Sequence, residues 1–199
     1  MLRITGGQFR GRMIQTPAQD HTRPTQARLR EAWFNSLGPY LQGARVLDLF
    51  AGSGALGFEA LSRGASHVVC VENSKPALRV IHQNIQALAL GSQIEVFGLS
   101  VTLALSHLKK KGPFDLIFAD PPYAEGWEMK MLEQWPWGEL LASDGRFCLE
   151  WGVQKSQVSQ LPDCVSGLKK VREKHYGDTM LSTYSWATPE DSSQAPSEA

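Results

Sequence analysis

Three short stretches of the chain carry residue types that can do chemistry together. In the first, an apolar run, Leu116-Ile117-Phe118-Ala119, stops at Asp120-Pro121-Pro122-Tyr123. A carboxylate and a proline carbonyl are both acceptors, so together they can hold the two N–H groups of an amine on a planar base. Such a nitrogen is a poor nucleophile because its lone pair is delocalised into the ring, and two acceptors favour lone-pair density away from the ring plane. Proline fixes φ and so presets the carbonyl direction. Tyr123 offers a flat face on which an extruded base can stack. Taken alone, the same four residues could also be no more than a strand-ending turn.

The second stretch is Asp48-Leu49-Phe50-Ala51-Gly52-Ser53-Gly54-Ala55-Leu56-Gly57, and the third is Glu72. Gly52, Gly54 and Gly57 match the G-x-G-x-x-G spacing. They follow an apolar strand-like run and open a helix-like one, with Glu72 twenty residues beyond Gly52. Glycines there permit a tight turn and close approach of a ligand, while a strand-end acid can bind a ribose hydroxyl pair. A nucleotide-type cofactor is therefore expected, and two compete. A dinucleotide would lay its pyrophosphate over the helix N-terminus, where the neighbouring Asp48 carboxylate is unwelcome. S-adenosylmethionine brings a sulfonium and an ammonium group, which call for acceptors. Asp48 favours S-adenosylmethionine.

Those stretches must be positioned by a fold, and the chain has the length and composition for one. With 199 residues, 42% hydrophobic and 20% charged, it fits a single globular domain. Formal net charge is zero, but its distribution is uneven: the first thirty residues hold six arginines, no lysine and one acid. A second basic patch comprises Lys169, Lys170, Arg172 and Lys174. Either can be a phosphate-binding footprint or a solvated face. Three widely spaced cysteines without a CxxC pair and five histidines without ligand spacing predict a reduced protein with no metal. No signal-peptide-like segment or membrane-length apolar run is present, so the expected location is cytoplasmic, without a membrane partner.

From Ala44 the pattern alternates. Strands are predicted at Ala44–Phe50, His67–Glu72, Ile94–Phe97, Phe114–Asp120 and Arg146–Trp151, with helices between them and a break at Pro136. Repeated βα units imply an α/β fold with a mostly parallel sheet covered on both faces. "LKKVREKHYG" and "TMLSTYSWA" meet at Gly177-Asp178, a hairpin signal that predicts an antiparallel edge. Residues 1–40 are expected as an N-terminal extension, a basic hairpin plus helix with Leu29, Trp33 and Leu37 on one stripe, packed on a domain spanning 41–187. The polar, Pro/Ser-rich residues 188–199 read as a disordered tail.

The pairing of "DLFAGSGALG" with "DPPY" resembles class I S-adenosylmethionine-dependent methyltransferases that act on exocyclic amino nitrogens. Adding "RITGGQFRGR" and "RPTQARLREAWFNSL" ahead of them, in that order, the chain from Leu2 to Trp186 closely resembles the bacterial small-subunit ribosomal RNA guanine-N2 methyltransferase family. That resemblance implies a Rossmann-like fold with a seven-stranded sheet and a monomeric enzyme acting on rRNA in the assembled or assembling small subunit. It implies Asp120, Pro121, Pro122 and Tyr123 as the catalytic motif. Asp48, Phe50, Ala51, Gly52, Ser53 and Gly54 would hold the methionine part of the cofactor, with Glu72 and Asn73 at the ribose and Leu99 and Ser100 at the adenine. Arg23 and Thr25, flanking Pro24, would close over the cofactor and substrate entrance, and Arg3, Arg10, Arg12 and Arg23 would contact RNA phosphates. No acid stands after the third strand to bind the adenine amino group.

Two alternatives stay open at this stage. A DNA adenine-N6 or cytosine-N4 methyltransferase would use the same chemistry, but the chain has little room for a target-recognition segment. A nicotinamide-dependent oxidoreductase would use the glycine turn and leave Asp-Pro-Pro-Tyr without a purpose.

Overall fold

The computed structural model describes residues 1–17, 24–122, 125–152 and 159–188; side chains of residues 24–26 are outside that description. A two-residue antiparallel pair, β1 (Leu2–Arg3) and β2 (Met13–Ile14), opens the chain, and helix α1 (Pro24–Ser36) follows. Only two residues on each side pair, because the intervening segment turns away to bond Glu59 and Ser62 instead.

The alternating region then runs β3 (Arg45–Asp48), α2 (Ala55–Ser62), β4 (His67–Val71), α3 (Lys75–Leu88), β5 (Ile94–Phe97), α4 (Val101–Lys111) and β6 (Phe114–Ala119). Two short helices, α5 (Trp127–Gln134) and α6 (Trp137–Leu140), flank Pro136, and β7 (Leu141–Gly152), β8 (Cys164–Val165), β9 (Leu168–Tyr176) and β10 (Thr179–Trp186) complete it. Sheet order is β5-β4-β3-β6-β7-β10-β9-β8. The first five are parallel and the last three antiparallel, with Thr179 opposite Tyr176 across the two-residue turn at Gly177-Asp178. Among the described residues the sheet has eight strands, one more than expected: the two-residue β8 adds an outer edge that carries no periodicity long enough to read.

Why the parallel strands are continuous apolar runs is clear from their surroundings. Val46, Leu116, Phe118 and Cys148 face a core that includes Phe34, Leu37 and Leu41 of the N-terminal region. Leu47, Ile117, Phe147 and Leu149 face the opposite core, under α4, α5 and α6. Each strand is thus buried on both sides. Leu2, Ile4, Ile14, Leu29 and Trp33 belong to the first core, so the N-terminal segment covers one face of the sheet.

One element of the expected basic patch is corrected. Lys170 is nearly buried, donating to the Leu161 carbonyl and paired with Asp163 at 3.1 Å and Glu173 at 3.2 Å, so it is not available to an anion. Lys174 and Arg172 remain exposed.

Candidate active site

β3 and β6 are hydrogen-bonded neighbours, with Asp48 in register with Phe118. Their carboxyl ends therefore deliver the glycine turn and Asp120 to the same margin of the sheet. A cavity of about 550 Å³ opens there. Leu49 and Phe50 line it after β3, Glu72 and Asn73 after β4, Leu99 and Ser100 after β5, and Asp120, Pro121 and Pro122 after β6. This is the crevice outside strand ends where ligands of open α/β sheets bind.

The turn is built from backbone. Gly54, with φ of 79°, is the residue before α2, a left-handed conformation that an L side chain rarely adopts. At Gly57 the gain is closeness: a Cβ would stand 3.0 Å from Val68 Cγ1 and 3.2 Å from Cys70 Sγ, so a larger residue would require these β4 side chains to give way. Glu72 ties the turn down. One carboxylate oxygen accepts from the Gly52 N–H at 2.8 Å, and the other accepts from Asn73 and Ser74 N–H groups at 2.8 and 2.7 Å. A carboxylate offers about four lone-pair sites, so one remains for a ligand hydroxyl. Ser53 is buried, and its carbonyl accepts from Asn84 Nδ2 at 3.3 Å.

Asp48 sits beneath this turn, fully buried. One oxygen accepts from the Gly57 N–H at 3.3 Å, and Oδ1 has no hydrogen-bond partner among the described residues. Burial pushes its carboxyl up to about 7, and the nearby Asp120 and Glu72 charges add to this, against the Gly57 hydrogen bond. The negative charge expected from the sequence is therefore conditional: near neutrality Asp48 is poised between its two forms until a cation favours the charged one. An orphaned buried oxygen on a carboxyl held this way suits a cationic ligand, and the open Glu72 site suits a ligand hydroxyl. The residues present fit S-adenosylmethionine.

Ser100 is the residue before α4, and its hydroxyl oxygen accepts from the Leu103 N–H at 3.4 Å. Its O–H donor is left for a ligand. Trp127 and Glu125 also line the cavity, which the sequence reading missed. The Trp127 ring meets Phe50 edge-on at 5.4 Å, and its indole N–H donates to Glu125 at 3.0 Å. A tryptophan at the first position of a helix soon after the Asp-Pro-Pro turn was the available signal. Tyr123 and Arg23 lie outside the described residues, as does most of the proposed tail; Thr25 falls within α1. Arg3, Arg10 and Arg12 are exposed, as a phosphate-facing set requires, and Arg12 also donates to the Ala87 carbonyl at 3.1 Å.

The far wall is assembled from the N-terminal segment around Glu59, which is fully buried on α2. Thr5 and Gly6 N–H groups and the Thr5 hydroxyl donate to it at 2.8, 2.8 and 2.6 Å. Arg63 bonds it at 2.7 Å, and Arg30 stands 3.6 Å away. Asn84 adds a second tie: it exchanges bonds with the Gln15 backbone while holding the Ser53 carbonyl.

A mostly parallel sheet with a glycine turn after one inner strand, an acid ending the next and Asp-Pro-Pro ending its other neighbour is the Rossmann-like fold of class I methyltransferases. The chain belongs to the family described as "Conserved hypothetical protein 95", whose model matches residues 2–185. It is 35% identical to "Putative rRNA methyltransferase YlbH" of Bacillus subtilis over 92% of this chain and 98% of that one. It is also 35% identical to "Ribosomal RNA small subunit methyltransferase D" of Escherichia coli, covering 92% of this chain and 89% of that one. The solved "Putative methyltransferase yhhF" of Escherichia coli superposes with a TM-score of 0.79 at 34% identity, covering 93% of this chain and 97% of that one.

Proposed function

We propose that this chain is an S-adenosylmethionine-dependent methyltransferase that modifies the exocyclic N2 amine of a guanine in small-subunit ribosomal RNA. The observation that carries the reading is the cavity shared by Leu49 and Phe50, at the start of the turn after β3, and by Asp120 after β6. The relatives named above, similar over nearly their whole lengths, supply the RNA class.

When bound, S-adenosylmethionine supplies an electrophilic methyl carbon on a sulfonium. Asp48 holds the cationic end, with its orphaned Oδ1 as acceptor. Glu72 takes a ribose hydroxyl, and its three backbone bonds keep it oriented before any ligand arrives. Phe50 and Trp127 close an apolar edge and exclude water. Asp120 and the Pro121 carbonyl accept from the two amine N–H groups and fix the nitrogen lone pair toward the donor. The nitrogen gains one carbon and must lose one proton, which the exposed Asp120 carboxylate can relay to water. Positioning and exclusion of water supply most of the rate. Asp48 beneath the turn tells against a pyrophosphate at that place, and so against the nicotinamide alternative.

The substrate is read as RNA of the assembled or assembling small subunit, met in the cytoplasm by a monomer whose exposed Arg3, Arg10 and Arg12 engage phosphates. The test is to incubate the protein with radiolabelled S-adenosylmethionine and small subunits from a strain deleted for the corresponding gene, then map the label. Label on one guanine N2 is the expected result. Label only on adenine N6 or cytosine N4, or none while S-adenosylhomocysteine still binds, overturns the reading.

A further inference from the structure

Asp120 does not stand alone. Ala119 of β6 pairs with Leu149 of β7, and one residue further on each chain carries a carboxylate, Asp120 and Glu150. Phe118 and Cys148 face the core under α1, while Ala119 and Leu149 face the opposite one. Period-two alternation therefore turns Asp120 and Glu150 side by side toward α1. Both line a second cavity of about 140 Å³, which shares Phe50 and Asp120 with the larger cofactor cavity. Leu2, Leu29 and Trp33 form its apolar wall. Trp33 is 3% exposed, and its indole N–H has no hydrogen-bond partner among the described residues.

The position of this cavity decides what can occupy it. A methyl donor on one side of Asp120 requires the acceptor on the other. The second cavity meets the first at Phe50 and Asp120, with Ala51, Gly52 and Ser53 of the glycine turn as its border toward the cofactor. Its polar side chains are two adjacent carboxylates, the buried Ser53, and two donors: the Arg30 guanidinium, which also faces Glu59, and the Trp33 indole, without a partner among the described residues. Among the bases, guanine alone presents two adjacent donor nitrogens, N1–H and N2–H2, beside an acceptor, O6. Adenine and cytosine place a ring-nitrogen acceptor next to their amine, and that lone pair would face a carboxylate.

We propose that this second cavity takes the flipped base and that Glu150 is the specificity-determining residue, accepting from guanine N1–H while Asp120 accepts from N2. The inference rests on the methyltransferase reading above. Trp33 supplies the donor for O6, and the apolar wall supplies the stacking surface.

The test uses small subunits reconstituted with RNA ligated so that the mapped target position carries either guanosine or 2-aminopurine. The analogue keeps the C2 amine but has a bare acceptor at N1. Wild type should prefer guanosine on the order of 10²-fold in kcat/KM. Glu150→Gln places an amide N–H opposite N1, so it should lose activity on guanosine, gain on 2-aminopurine, and narrow the preference about tenfold or more. Glu150→Ala should narrow it without the gain. Stabilisation by S-adenosylhomocysteine, measured on each variant, certifies that fold and cofactor cavity are intact. An unchanged preference in both variants overturns the role of Glu150 and leaves the function standing. Absence of any guanine methylation by wild type overturns both together.

Discussion

The glycine turn and the N-terminal segment form opposite walls of one site, and they are held by different physics. At the turn, Glu72 gathers three backbone N–H groups from within twenty residues of itself. At the N-terminal wall, Glu59 gathers Thr5, Gly6, Arg30 and Arg63, with sequence separations of up to 54 residues, inside a fully buried network. The turn needs little beyond its own chain and a half-exposed acid. The far wall depends on a desolvated charge, for which a missing partner leaves the rest uncompensated. Cofactor binding should therefore outlast damage that disassembles the RNA-facing side.

The hardest blow to that contrast is Glu59→Ala. Removing one member of a buried ion network costs about 3–5 kcal/mol, so chemical denaturation should show a loss of that size. A loss well under 1 kcal/mol would mean that apolar contacts, not Glu59, hold the N-terminal wall. Next comes Asp120→Ala: turnover should fall about 10²- to 10³-fold. Thermal stabilisation by S-adenosylhomocysteine should stay at the wild-type level. Wild-type turnover in this variant would remove Asp120 from the chemistry.

Asp48 sharpens the turn's half of the comparison through pH. Its folded-state value of about 7 lies above the ordinary value of 3.8, so between those limits the folded chain binds more protons than the unfolded chain. The ligand-free protein should lose stability as pH rises from about 4 to 7, and Asp48→Asn should flatten that decline in melting scans. S-adenosylmethionine affinity should move the opposite way, strengthening by at most about tenfold per pH unit below 7, because a cation favours the ionised form. A pH-independent affinity in wild type would detach Asp48 from the ligand. The smallest effect is expected at the N-terminal surface. Arg12→Ala should lower the salt slope of RNA binding by about 0.7–0.9, one phosphate contact, with turnover at saturating RNA nearly unchanged. An unaltered slope would take Arg12 off the RNA path.

Much of the cofactor side was legible because its signals are local. Gly52, Gly54 and Gly57 reveal a turn by spacing, and Glu72 follows at the distance one βα unit requires. The same holds for the inner parallel strands β3, β4 and β6, whose double burial writes nearly continuous apolar runs. Lys170 was misread because charge along a strand does not disclose which side chains fold back onto Asp163 and Glu173. Trp33 looked like an ordinary member of the α1 stripe. Glu150 looked like a polar residue interrupting "RFCLEW".

The chain by itself thus determined that a turn, an acid and an Asp-Pro-Pro corner exist, since backbone conformation, strand burial and side-chain chemistry are properties of neighbouring residues. Only the tertiary structure decided that β3 and β6 lie side by side, that Asp120 and Glu150 emerge on the same face, and that Glu59 draws the first residues across the sheet. Those facts depend on strand order and register, which are settled by packing among residues dozens of positions apart.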